Sequence, residues 1–240
     1  MTSSNPITVS FSGIDGAGKS TQIDALRSRL RKLGLDARVY TFWDDVVVLS
    51  RFREHLSLSV FKGDRGIGTP DKPIVRRDKD VSSWYVVAFR LFLYLLDVCR
   101  LCVITSGLSA IESDVIIFDR YIYDELANLP LKYRLVRLYI RLILRFTPKP
   151  DHAVLLDADP ETACGRKPEY PPEFVRKNRQ AYLQLARLAG MTVVPPVSIE
   201  EAEEFIAKSI LPNLEPAKAN CLSVERQCAA PDGSITSTAG

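Results

Sequence analysis

Between an apolar run, Ile7 to Phe11, and a helical pattern beginning near residue 18 lies Gly13-Ile14-Asp15-Gly16-Ala17-Gly18-Lys19-Ser20. A glycine-rich turn from a buried strand into a helix N-terminus commits the chain to an α/β arrangement. It aims successive backbone N–H groups, and the positive end of the helix dipole, at one point outside the sheet. The G-x-x-x-x-G-K-S spacing is that of a phosphate loop, and polyphosphate is the natural occupant of that point. Gly13, Asp15, Gly16, Ala17, Gly18, Lys19, Ser20 and Thr21 are the candidate nucleotide-binding residues. Lys19 is expected to reach the β- and γ-phosphates of ATP or GTP, and the Ser20 hydroxyl to ligate the Mg²⁺ that bridges them.

The pattern that follows extends the same architecture. Ile23, Leu26, Leu30 and Leu33 recur at helical spacing, and Gly34 supplies a stop. Residues 37–42, 115–118, 153–156 and 191–194 read as four further strands, with helical patterns between them. Strand and helix in alternation imply a parallel sheet covered on both faces, with ligands beyond the carboxyl ends of its strands. The phosphate loop, Trp43-Asp44-Asp45, Asp119-Arg120-Tyr121 and Asp157 all fall at such ends. Residues 63–79, with three glycines, two prolines and mixed charge, read as a mobile loop that either closes over a substrate or is merely solvated. Residues 1–212 are expected to form one catalytic domain, and residues 213–240, poor in large apolar side chains, a disordered tail.

Composition excludes several classes. A net charge of +3 over 240 residues gives no argument for nucleic acid as a partner. The five cysteines form no paired framework, which favours a reducing compartment, and Cys99 and Cys102 lie in an apolar helical pattern that predicts buried core thiols. The first residues carry no basic region followed by an apolar stretch, so a cytoplasmic protein is expected. Val86 to Ile104 is interrupted by Arg90, Asp97 and Arg100, which argues for a buried helix and against a membrane anchor. Leu131 to Phe146 carries Arg134, Arg137, Arg141 and Arg145 along a second helix, which suits a core-packed helix with a solvated arginine face, a membrane surface or a dimer contact. His55 and His152 lack metal-ligand spacing.

The Asp119-Arg120-Tyr121 triplet completes the pattern. A carboxylate and a guanidinium at the end of a buried strand stand beside the phosphate loop if the third strand neighbours the first. There the carboxylate can hold Mg²⁺ and the arginine can clamp a transferring phosphoryl group; a structural ion pair is the alternative. Phe11 to Gln22, taken with this triplet, resembles the thymidylate kinase family of nucleoside monophosphate kinases. Leu95 to Arg100, the segment Ala163 to Lys167, and Phe174 through Arg179 to Tyr182 resemble its base-reading helix, its lid and the helix after the lid. The resemblance spans roughly residues 6–210.

That resemblance implies a three-layer P-loop kinase fold, a five-stranded parallel sheet with helices on both faces and a short lid. It implies transfer of the γ-phosphoryl of ATP, with Mg²⁺, to a nucleoside monophosphate such as thymidylate, and a helix-mediated homodimer. By position, Lys19, Asp119, Arg120 and Arg166 are the expected catalytic residues. Asp15, Arg100, Arg120 and Tyr121 are expected to bind the acceptor, and Ser20 and Asp119 to serve the metal. Lys167 is expected to join Arg166 as a lid cation, although both also suit an exposed helix end.

Three positions depart from the family pattern. The glutamate of its Phe-Glu-Gly is Ser12 here, its Arg-Glu-Pro-Gly after the second strand is Phe42-Trp43-Asp44-Asp45, and its serine after Asp-Arg-Tyr-x-x is Asp124. Two acids replace a phosphate-binding cation, and Arg65, Arg76 and Arg77 are candidates to supply the missing charge. A different small-molecule acceptor, or a nucleotide-binding regulator without transfer, are the alternatives these departures leave open.

Overall fold

A computed structural model describes residues 5–48, 84–168 and 170–214. Five strands, β1 (Ile7–Ser12), β2 (Ala37–Thr41), β3 (Val115–Asp119), β4 (His152–Leu156) and β5 (Thr192–Val194), form one sheet. Its order is β2-β3-β1-β4-β5 and every pairing is parallel. Successive side chains on a strand face opposite ways, so one strand feeds two cores. Val115 and Ile117 point to one, Ile116 and Phe118 to the other, and all four are fully buried.

Helices α1 (Lys19–Lys32) and α7 (Ile199–Ile210) cover the first face, with Leu26, Leu30, Ile206 and Ile210 against Val9, Phe11 and Leu156. The second face is covered by α2 (Trp84–Ser106), the short α3 (Ile122–Leu126), α4 (Arg134–Phe146) and α6 (Pro172–Ala189). A further short helix, α5 (Pro160–Arg166), follows β4 and precedes α6. This is the expected three-layer α/β fold with a five-stranded parallel sheet. Because β1 is central and β3 lies beside it, the phosphate loop and the Asp119-Arg120 pair leave the sheet side by side.

Two expectations need correction. The second strand stops at Thr41, and Phe42–Val46 forms a single π-helical turn closed by Val47 N donating to Phe42 O at 2.9 Å. Phe42 and Val46 are both fully buried, and the wide turn brings both into the core. The two helical cysteines are not core thiols either: Cys99 is exposed and Cys102 half-buried, because Val98 and Leu101 take the inward positions of α2. The expected mobile loop at 63–79, with Arg65, Arg76 and Arg77, and the expected tail beyond residue 214 lie outside the described residues, as does His55. No helix among the described residues is long and apolar enough to cross a membrane.

Candidate active site

The turn after β1 has the backbone that its glycines predict. Gly13, Gly16 and Gly18 have φ of +149°, +85° and +88°, values that disfavour a side chain. At two of them space is also closed: a Cβ on Gly13 would lie 2.6 Å from Leu156 O, and one on Gly16 would lie 2.5 Å from Ala163 O. The loop is therefore clamped between the end of β4 and α5. Gly18 leads into α1, whose N-terminus has no side-chain cap and no acid in its first turn. Its leading N–H groups thus keep their capacity for an external acceptor.

Lys19, the first residue of α1, is 7% exposed and lies back along the loop. Its ammonium donates to Gly13 O at 2.7 Å and Ile14 O at 2.9 Å. Burial, and then the Arg120 charge, push its pKa down to about 8, against the opposing pull of Asp124, Asp15 and Asp119. A buried cation held by two carbonyls under a ring of N–H groups fits a polyphosphate. Ser20 and Thr21 are exposed on the same first turn.

The second half of the site arrives in register. Asp119 stands opposite Phe11, and Arg120 N donates to Phe11 O at 3.0 Å. Arg120 has a φ of +69° and is the only non-glycine residue in that region among those described. A bulky residue held there is strained, and such strain persists where surrounding contacts over-determine the geometry. The guanidinium donates through Nη2 to Asp15 Oδ1, and its Nη1 stands 3.7 Å from Asp124 Oδ1. Burial opposes the Arg120 charge, but Asp124 and then Asp15 outweigh it and raise the pKa. Asp15 and Arg120, expected from sequence to meet at the acceptor, are thus brought together.

Asp124, one of the departures from the family pattern, is central here. It is 3% exposed, and Ser12 Oγ donates to its Oδ2 at 2.6 Å. Tyr182 OH donates to its Oδ1 at 2.8 Å, and Tyr121 N to its Oδ2 at 3.1 Å. The two departures at positions 12 and 124 are one hydrogen-bonded pair.

Arg166, the last residue of α5, reaches over the phosphate loop. Its Nη1 lies 3.5 Å from Gly16 O and 4.0 Å from the position of a Cβ on Gly18. It is an exposed helix end whose guanidinium lies beside the loop. Lys167 follows as an exposed residue. On α6, Arg179 pairs with Asp157 at 2.6 and 2.7 Å, a bidentate bond that ties the helix after the lid segment to the end of β4. Arg176 joins Glu173 of its own helix to Glu161 of α5.

On the β2 side, Asp45 does not stand as a free acid. Its Oδ2 accepts from Thr41 N at 2.7 Å, and its carbonyl accepts from Arg100 Nε at 3.1 Å. Arg100 and Trp43, which is 40% exposed, therefore border one π-helical turn. Tyr121, expected at the acceptor, is 1% exposed, packs against Phe42, Phe118 and Tyr123, and donates its hydroxyl to Pro148 O at 2.6 Å. The backbone turn at Arg120 sends the next side chain back into the core.

Among the described residues no group of three His, Cys, Asp or Glu side chains is gathered as a metal cage. Ser20 and Asp119 lie at the ends of adjoining elements, and they suit an ion held jointly with phosphate oxygens.

No family model matches this chain. It is similar to the "probable thymidylate kinase" of Methanothermobacter thermautotrophicus, 29% identical over 190 residues that cover 78% of this chain and 84% of that protein. The protein of that description from Methanobrevibacter smithii is 28% identical over 207 residues, covering 84% and 93%. The thymidylate kinase of Bifidobacterium longum is 26% identical over 193 residues, covering 76% and 84%.

Proposed function

We propose, for a chain related to the thymidylate kinase family, that its site transfers the γ-phosphoryl group of ATP to a nucleoside monophosphate, with thymidylate as the first-choice acceptor. The relationship makes the chain a phosphotransferase of the nucleotide-kinase type. The single observation that carries the reading is the convergence of Lys19, Arg120 and Asp15 beneath the uncapped N-terminus of α1. Two cations with a helix terminus provide the fixed positive charge that phosphoryl transfer needs, and no covalent enzyme intermediate is required.

In this reading Gly13 to Thr21 cradle the donor phosphates and Lys19 leaves its two carbonyls for the β- and γ-oxygens. Ser20 and Asp119 would hold Mg²⁺, which would neutralise phosphate charge when bound. Arg120, Lys19 and Arg166 stabilise charge on the transferring group, and Arg166 with Lys167 shields it from water. Arg100 faces the acceptor base beside Trp43, and Asp15 orients the acceptor through its bond to Arg120.

The turn at Phe42–Val46 supports a second reading, a related kinase with another small-molecule acceptor, since no cation of that turn faces an acceptor phosphate. A panel of nucleoside monophosphates, nucleosides and sugar phosphates, scored by ADP release from ATP and Mg²⁺, separates the two. Preference for thymidylate supports the first; preference for a non-nucleotide acceptor replaces it with the second.

The working unit in this reading is a homodimer. Leu135, Leu138, Leu142 and Phe146 on α4, with Phe92, Leu95 and Val103 on α2, are exposed apolar residues on helices that touch through Tyr139 OH and Leu91 O at 2.6 Å.

A further inference from the structure

Arg120 is the strained cation of the site, and its guanidinium is flanked by two carboxylates: Nη2 bonds Asp15, and Nη1 faces Asp124 at 3.7 Å. Asp15 belongs to the phosphate loop and is three-quarters buried; Asp124 is almost wholly buried. Buried carboxylates are costly unless their oxygens are satisfied. Both Asp124 oxygens are satisfied, by donors from β1 (Ser12 Oγ), the head of α3 (Tyr121 N) and α6 (Tyr182 OH). The carboxylate is therefore fixed from three elements while its Oδ1 still points at Arg120. Ser12 donates a neutral hydrogen bond and adds no charge, so the negative charge at this junction belongs to Asp124.

We infer that Asp124 is the positioning residue of the active-site arginine: held by Ser12 and Tyr182, it fixes the Arg120 guanidinium between itself and Asp15, aimed at the transferring phosphoryl group. Resting on the phosphoryl-transfer reading, the inference adds a residue outside the phosphate loop and the Asp-Arg pair. It also explains why positions 12 and 124 differ together. In this chain the carboxylate stands at the Asp124 end of the 2.6 Å hydrogen bond from Ser12, beside Arg120. Because Tyr182 lies on α6, downstream of the lid segment, the orientation of Arg120 is tied to the seating of that helix.

The test uses the full chain and has one readout that does not depend on turnover. In the wild type the Arg120 side-chain N–H groups should give a distinct, slowly exchanging NMR signal, assigned by its loss in Arg120→Ala. Asp124→Asn should broaden or abolish that signal. It should also lower kcat about 10- to 100-fold with the KM for ATP within about twofold. Combined with Arg120→Ala, it should cost no more than about twofold further. The paired change Ser12→Glu with Asp124→Ser returns the carboxylate to the junction and should restore kcat to within about fivefold of the wild type. Should Asp124→Asn not fold, Tyr182→Phe carries the test, since it removes one anchor and keeps the charge; it should weaken the same signal. An unchanged Arg120 signal in the folded variant overturns the inference, as does an equal loss of kcat with and without Arg120. If the wild type transfers phosphoryl to no acceptor, the functional reading fails, and the NMR signal still decides the positioning claim.

Discussion

Lys19 carries the residue-scale argument. Its ammonium is held by Gly13 O and Ile14 O, and in the proposed transfer it would exchange onto phosphate and act where negative charge develops. Lys19→Ala should lower turnover by about 10² to 10³-fold with the melting temperature little changed. Near-normal turnover in the folded variant would refute the role. The pH dependence follows from the lowered pKa. Folded Lys19 begins to lose its proton above about 8, whereas the unfolded lysine keeps it to about 10.5. The folded state thus binds fewer protons between those values, and the cost of burying the charge is relieved as pH rises through that window. ATP needs the charged form, so affinity should fall above about pH 8, approaching tenfold per pH unit, and calorimetry on Lys19→Ala should show a flat profile over the same range. Lys19, Asp119 and Arg120 were legible because their positions follow from a contiguous motif on a strand end. Tyr121 was not, since its direction depends on the left-handed backbone of Arg120, and Asp124 was not, since its partners lie 112 and 58 positions away.

Among elements, strands and long helices followed from period and apolarity, because β1, β3 and β4 are buried on both faces and α1 on one. What escaped was set by tertiary contact. The π-helical turn at Phe42–Val46 reflects two buried side chains and the Asp45 bond to Thr41 N. Helix α7 was readable in retrospect: Ser198 accepts from Glu201 N at 3.2 Å while Glu201 Oε2 accepts from Ser198 N at 3.0 Å, a reciprocal cap at its start. Since α7 covers the Leu30 side of the sheet, Ser198→Ala should cost about 1 kcal/mol and lower the melting temperature by about 2–4 °C, with turnover unchanged. A larger fall in turnover than in stability would mean that α7 acts on the site.

For the whole molecule, the fold brings two motifs 100 positions apart to adjacent strand ends; Arg166 of α5 stands beside the loop, while Arg176 ties α6 to α5 and the Asp157–Arg179 pair ties it to the end of β4. Association belongs to the same scale. Eight exposed large apolar residues among those described on α2 and α4, Phe89 included, form more apolar surface than a single exposed leucine would. Leu138→Glu places a charge in that surface, so the wild type should sediment as a dimer and the variant as a monomer; a monomeric wild type at micromolar concentration contradicts the dimer. The central claim is transfer itself. ATP labelled in its γ-phosphoryl group, incubated with Mg²⁺, thymidylate and the full chain, should give labelled thymidine diphosphate, and Lys19→Ala should give almost none. Label that stays in ATP or appears only as inorganic phosphate, whatever acceptor is supplied, would contradict it.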